Sequence, residues 1–295
     1  MGRSTSTPIS WPRSMRKMRS LSSASRTSLP SSSQPSVAKD NGVGGPLDGH
    51  PRYVIAGNPG PFTLDGTRTY IVGAKQAAVI DPGPDLDEHL AILVSELAEA
   101  EEVMVIVTHG HADHAAAAPR LAERLRTEVW GPSGVSVVDH ELEDGEKVPT
   151  DEGYLAVLHT AGHARHHISL HWPDRQALFA GDLLLGEGDT TWVGEYPGCV
   201  DDYLRSLNRL RHLELEVIYP AHGDPLKDPT EAINRFEDHR NNRIEQMEMM
   251  LARHPGATVD QLLSLMHGYK LPEAAKRAAK MSLVALKEHV EAENR

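Results

Sequence analysis

The chain has 295 residues, a formal charge of −12 and a single cysteine, Cys199. That length allows one well-buried catalytic domain plus a small accessory piece, and the acidic balance excludes a surface given over as a whole to polyanion binding, while leaving room for a local basic site. A lone cysteine excludes an internal disulfide framework and a thiolate-rich structural zinc site, and no apolar run approaches the ~20 residues of a spanning helix, so the chain reads as soluble or at most peripherally bound.

Residues 1–45 are rich in Ser and Arg and hold no acidic residue before Asp40. Such a segment cannot bury a core and is expected to be disordered. Its composition is that of an organellar transit peptide, and equally that of a plain tail or an upstream-extended start. A cytoplasmic protein is expected, with a mitochondrion or another organelle as the alternative if the segment is a targeting signal.

Order is expected over 46–227. The runs YVIAG, TRTYIVG and AAVIDPG have strand character and are separated by Gly and Pro. Leu86, Leu90, Leu93 and Leu97 share one face of a predicted helix, and VMVIV follows as a further strand. A helix ending in RLAERLR should start near Pro119, which places the intervening THGHADH in a strand-to-helix loop. EGYLAVLHT, HISLHW, QALFAGD and EVIYP suggest later strands, with a helix carrying Tyr203, Leu207 and Leu210 between the last two. Over 228–295 the strands give way to three or four helices, with Ile244, Met247 and Leu251 on one face of the first and Leu283, Leu286 and Val290 on one face of the last. The methionines of QMEMM read as core filler.

THGHADH concentrates donors. Two histidines two residues apart in an extended loop can converge on one ion, which fits His109 and His111. Asp113 and His114 are neighbours whose side chains diverge from one another more readily, and this second pair suits a second ion. Imidazole and carboxylate without thiolate suit zinc and leave manganese or iron open. Four residues cannot fill two coordination shells, and further donors do stand at other strand ends beside glycine: His163 in HTAGH, Asp182 in AGD and His222 in AHG.

In that order, THGHADH, HTAGH, AGD and AHG resemble the metallo-β-lactamase superfamily. The resemblance implies an α/β (α+β) fold, an αββα sandwich of two mixed sheets with helices outside and metals at one edge. It implies a first metal on His109, His111 and His163, a second on Asp113, His114 and His222, and Asp182 as the bridge. NPGPFTLDGTRTYIVG, GDLLLGEG and HRNNRIEQM further resemble the subgroup of lactamase-β-like endoribonucleases and acyl-carrier-protein thioesterases. In that subgroup the C-terminal segment forms a small winged-helix-like domain. Here the chain ends at Arg295, leaving little for a β-wing. His167, four residues past His163, matches a histidine that recurs in related sequences and is a candidate to support a ligand or touch substrate. A packed structural role is the simpler reading.

Two divalent ions sharing a water make a hydroxide nucleophile available at neutral pH, so two zinc ions per chain and a hydrolytic reaction are expected, with Asp113 and Asp182 accepting or orienting the proton. The substrate divides by leaving group. An ester or thioester hydrolase would take a small-molecule or carrier-bound acyl substrate. The alternative is a single-stranded RNA endoribonuclease, for which the C-terminal lysines would have to bind phosphate, although Glu273, Glu288, Glu291 and Glu293 interleave with them. Neither DNA nor a membrane is an expected partner. A di-iron redox protein is disfavoured for want of a flavin-binding segment, and a non-catalytic metal protein because structural sites are closed and thiolate-rich.

Overall fold

The computed structural model describes residues 43–44, 50–267, 271 and 273–294. Apart from Val43–Gly44, the segment expected to be disordered lies outside the described residues. The first sheet has seven strands in the spatial order of the chain: β1 (Val43–Gly44), β2 (Arg52–Ile55), β3 (Arg68–Val72), β4 (Gln76–Ile80), β5 (Glu102–Ile106), β6 (Val129–Gly131) and β7 (His140–Glu141). It is antiparallel as far as β4 and parallel from β4 onward. The parallel part needs crossovers, supplied by α1 (Asp87–Glu96) and by α2 (Ala112–Ala115) with α3 (Ala118–Leu125). Pro119 occupies the first turn of α3, as its missing N–H requires.

The second sheet contains β8 (Lys147–Thr150), β9 (Gly153–His159), β10 (Ile168–Trp172), β11 (Ala177–Gly181) and β12 (Val217–Pro220), in the order β12-β11-β10-β9-β8. Only its β11–β12 pair is parallel, and α4 (Cys199–Leu210) makes that crossover. Three helices follow, α5 (Pro229–Arg253), α6 (Val259–His267) and α7 (Glu273–Glu293). Among the described residues no strand follows β12, and no helix is long and apolar enough to cross a membrane.

Pleat alternation builds the layers. Tyr70, Val72, Ala78, Ile80 and Ile106 of the first sheet meet Val157, Leu170, Phe179 and Tyr219 of the second in a core between the sheets. The alternate residues Ile71, Val79 and Val105 turn outward onto Leu90, Leu93 and Leu121 of α1 and α3. On the far side, Leu178, Ala180 and Ile218 pack with Tyr203 and Leu207 of α4 and with Phe236, Met247, Leu262 and Leu286 of α5–α7. The architecture is therefore αββα, with the C-terminal helices sharing an apolar cluster with the second sheet. Two side chains depart from the helical periodicities. Leu86 caps α1 and is 37% exposed, and Met249 is 50% exposed whereas Met247 is fully buried, because two positions along a helix turn by about 200° and only one of the pair can face the core.

The strands whose C-terminal ends carry the candidate donors are β5, β9, β11 and β12, and all four open on one edge of the sandwich, where the sheets are tied together. Ile168 N–H donates to Thr108 O at 2.9 Å, and Arg68 N–H donates to Ala221 O at 2.7 Å. At this edge Gly181 is left-handed, with φ of 52°, and a Cβ there would fall 2.7 Å from Thr108 Oγ1 and 2.8 Å from His167 Nε2. Gly181→Ala should lower the unfolding free energy by about 1–3 kcal/mol, read from urea unfolding, because both the backbone conformation and the contact are strained.

Candidate metal centre

The Thr108–Ala115 segment differs from a simple loop. His109 and His111 lie in extended chain after β5, but Asp113 and His114 fall on the four-residue helix α2, which starts immediately after His111. The turn sends His109 and His111 toward His163, and Asp113 and His114 toward His222. Three groups of donors result, each with its ligand atoms within 4.8 Å of one another: His109, His111 and His163; His109, His114 and Asp182; and Asp113, His114 and His222.

The approaches are close. His111 Nδ1 lies 3.0 Å from His109 Nε2 and 3.0 Å from His163 Nε2. His222 Nε2 is 3.3 Å from both Asp113 Oδ2 and Asp182 Oδ1, while His114 Nε2 is 3.6 Å from Asp113 Oδ2 and 3.5 Å from Asp182 Oδ1. Asp182 turns its other oxygen, Oδ2, to within 3.5 Å of His163 Nε2. An edge of a tetrahedron with zinc–ligand bonds of ~2.0–2.1 Å is ~3.3 Å long, so these separations are those of donors around an ion.

Outer hydrogen bonds fix the tautomers. His163 Nδ1–H donates to Trp192 O at 2.9 Å and His222 Nδ1–H to Gly66 O at 3.2 Å, since a carbonyl can only accept. His114 Nδ1 bonds to Asp81 Oδ2 at 2.9 Å. Thr108 Oγ1 gives its proton to the same carboxylate at 2.8 Å and therefore accepts from His109 Nδ1 at 3.0 Å. Four Nε2 atoms are thus left facing the centre. Among them, His114 Nε2 and His222 Nε2, together with Asp182 Oδ1, are buried without a hydrogen-bond partner. Buried polar atoms left so cost about 1–3 kcal/mol each, and a set of unpartnered nitrogen and carboxylate donors pointing at shared space fits divalent cations.

Electrostatics divide the centre. Burial, reinforced by the neighbouring histidines, holds His109 well below the usual imidazole range, and burial takes His163 down to about 4. His114 goes the other way. Burial opposes its charge, but Asp182, Asp113 and Asp81 outweigh that and raise it well above the usual range; Asp182 and Asp113 raise His222 in the same manner. Burial would raise Asp113 and Asp182, yet His114 and His222 bring Asp113 down to about 2, and His222, His114 and His163 hold Asp182 well below the carboxylate range.

His167 is buried beside the centre. Its Nε2 accepts the Asp182 N–H at 3.3 Å and its Nδ1 bonds to Thr160 Oγ1 at 2.9 Å, so it touches the backbone of a donor rather than the donor space. Two further acidic residues stand at the centre without having been singled out by pattern. Asp81, 1% exposed and with φ of 53°, binds Thr108 N, Thr108 Oγ1 and His114 Nδ1 at once. Its own peptide is held by Thr69 Oγ1 and Ile106 O, which offsets the strained conformation. Glu195, at the rim, lies 3.8 Å from His111 Nε2 and accepts Arg165 N–H at 2.7 Å.

Comparison with known proteins agrees with this geometry. The family model described as the metallo-beta-lactamase superfamily matches residues 62–138 and 131–222. A beta-lactamase-like protein 2 homolog of Caenorhabditis elegans is 31% identical over 218 residues, covering 70% of this chain and 72% of the relative. An atrochrysone carboxyl ACP thioesterase of Aspergillus chevalieri is 31% identical over 239 residues, covering 76% of this chain and 75% of the relative. Among solved structures, a beta-lactamase domain protein from Burkholderia ambifaria superposes with a TM-score of 0.76 at 20% identity, covering 88% of this chain and 90% of that one, a likeness of fold. With two face-to-face sheets, donors at one edge and these relatives, the chain belongs to the metallo-beta-lactamase superfamily and is a metallohydrolase.

Proposed function

We propose that this protein is a dinuclear, zinc-dependent hydrolase of acyl thioesters, acting on an acyl group held by a carrier or a small thiol. The observation that carries the dinuclear reading is the division of Asp182: Oδ1 faces His114 and His222, and Oδ2 faces His163. His109, His111 and His163 would hold one ion, Asp113, His114 and His222 the other, and Asp182 both. The imidazole and carboxylate set favours zinc and also accommodates manganese or iron. When bound, such ions supply a hydrolytic nucleophile at neutral pH and polarise the carbonyl under attack.

The chain's own residues do the rest. Asp113 has the more exposed carboxylate, with its side chain 30% accessible against 10% for Asp182, and it is ionised at neutral pH. It orients the attacking water and can take its proton at a carboxylate oxygen. Asp182, buried and ionised, fixes the spacing of the two donor groups, and His167 holds the Asp182 peptide in place. A thioester suits a centre whose two carboxylates are both ionised, because a thiolate of pKa ~8.5 leaves without a strong proton donor. The relatives named as ACP thioesterases support the same substrate class. Ribonuclease activity is less well supported. Lys280 and Lys287 in the C-terminal helices are paired with Asp260 and Glu291, at 2.7 and 3.6 Å, and are not gathered for phosphate.

The zinc-loaded protein should turn over acyl-carrier or S-acyl glutathione thioesters at least ~10²-fold faster than single-stranded RNA or a β-lactam when the four are assayed side by side. Faster cleavage of RNA would overturn the thioester reading and leave the metal centre standing.

Asp182→Ala should bind fewer than two zinc ions per chain by elemental analysis and lose at least ~10²-fold in rate while staying folded. Two tightly held ions with near-native turnover would remove Asp182 from the bridging position.

The shifted histidines give a pH dependence. His114 and His222 are raised by the neighbouring carboxylates, so they hold a proton to higher pH than an ordinary imidazole and must shed it to become ligands, whereas His109 and His163 are lowered and bind without that competition. As pH falls through the neutral range, the zinc step that uses His114 and His222 should therefore weaken, by at most about tenfold per unit for each proton displaced, with the other step much flatter until pH approaches His163's value of about 4. Zinc titration calorimetry in buffers of different ionisation enthalpy reads the released protons directly.

A further inference from the structure

The segment between β11 and α4 lies between the metal centre and the C-terminal helices. On its inner side, Trp192 O accepts His163 Nδ1–H at 2.9 Å and Thr191 Oγ1 lies 3.1 Å from the same nitrogen. The Trp192 ring stands beside both His163 and His111, with ring centres 6.2 and 6.4 Å away. On its outer side the segment is fastened to two helices. The Trp192 indole N–H donates to Ala278 O on α7 at 3.2 Å, and Arg240 Nη2 on α5 donates to Thr191 O at 3.3 Å. At Gly194 the backbone runs so close to α7 that a Cβ would fall 2.7 Å from Ser282 N and 2.9 Å from the Met281 carbonyl carbon.

Arg240 is an expensive way to fill space. It is 4% exposed, its Nε has no hydrogen-bond partner, and its guanidinium lies 5.3 Å from the centre of the Tyr203 ring. No carboxylate among the described residues forms an ion pair with it. A buried guanidinium without a counter-charge is costly compared with an apolar side chain of like volume. What it contributes is one directed bond, and that bond ends on the peptide whose next carbonyl orients His163.

We propose that Arg240 and Trp192 are positioning residues of the metal centre, through which α5 and α7 set where the His163 imidazole stands. The inference rests on the reading of His163 as a metal ligand. It makes the C-terminal helices part of the support of the hydrolytic site.

The test is zinc binding by metal-free, full-length protein in competition with a chromogenic chelator, for the wild type, Trp192→Phe, Arg240→Met and Arg240→Lys. Thermal unfolding of the metal-free proteins runs in parallel. Trp192→Phe keeps an aromatic ring and loses the bond to Ala278. Arg240→Met keeps an unbranched stem and loses charge and donor, whereas Arg240→Lys retains both. Trp192→Phe and Arg240→Met should each weaken one zinc step by ~10-fold or more, with Arg240→Lys recovering part of the loss. The visible spectrum of the cobalt-substituted variants should change with the same ranking. Metal-free Arg240→Met should melt no lower than the wild type, because removing an unpaired buried charge offsets the lost bond. Zinc affinity unchanged in both folded variants would overturn the proposal alone, as would a loss that only tracks a lower melting temperature. A wild type that binds no zinc would overturn the ligand reading and this proposal with it.

Discussion

Five imidazoles and two carboxylates pushed into one largely buried space cannot satisfy one another, and the rest of the architecture follows from that constraint. His111 Nδ1 stands 3.0 Å from both His109 Nε2 and His163 Nε2, and a single ring proton can serve only one of those two contacts. Desolvation removes the water that would otherwise separate the rings. Such an arrangement survives in a folded chain only if the backbone delivering each donor is held rigidly by something other than the donors themselves. The open edge of two face-to-face sheets meets that requirement: each donor follows a strand already fixed by its neighbours. The hydrogen bonds that do not involve ligand atoms, from Asp81, Gly66, Thr108 and Trp192, hold the rings against their mutual repulsion.

Much of this was legible in the residues. Long apolar runs announced β2–β5 and β9–β12, and the donors of THGHADH, HTAGH, AGD and AHG all reach one place. The short strands β6, β7 and β8 escaped, because VWG, HE and KVPT are too brief to show a period and one contains proline. The four-residue α2 escaped for the same reason, though it is the turn that separates His109 and His111 from Asp113 and His114. Asp81 was within reach. It ends the apolar strand AAVI as Asp182 ends ALFAG, although Pro82 separates it from glycine, but its role is to hold His114 from behind, and nothing in one dimension distinguishes a donor from the residue that orients it. Trp192 and Glu195 were not legible, and Arg240 was visible only as part of the HRNNRIEQM resemblance, with no role attached to it. Their significance lies in contacts across separations such as the 49 residues between Arg240 and Thr191.

Two buried arginines show how the edge is braced from opposite sides. Arg68, 3% exposed, begins β3 and bonds Asp65 at 2.8 Å and Asp224 at 3.0 Å, while its own N–H holds Ala221 O beside His222. Its charge is matched by one carboxylate from the turn before β3 and one from the His222 loop, so it acts as a charged clasp between the two. Arg240 braces the loop that supports His163 with a carbonyl bond and a ring face, and no carboxylate ion-pairs with it among the described residues. The difference has a physical reading. A carboxylate placed beside Arg240 would satisfy the guanidinium fully and release the Thr191 carbonyl from competition for it. Left short of partners, the guanidinium has little alternative to Thr191 O, so the bond that steadies the His163 support is kept by the high cost of losing it.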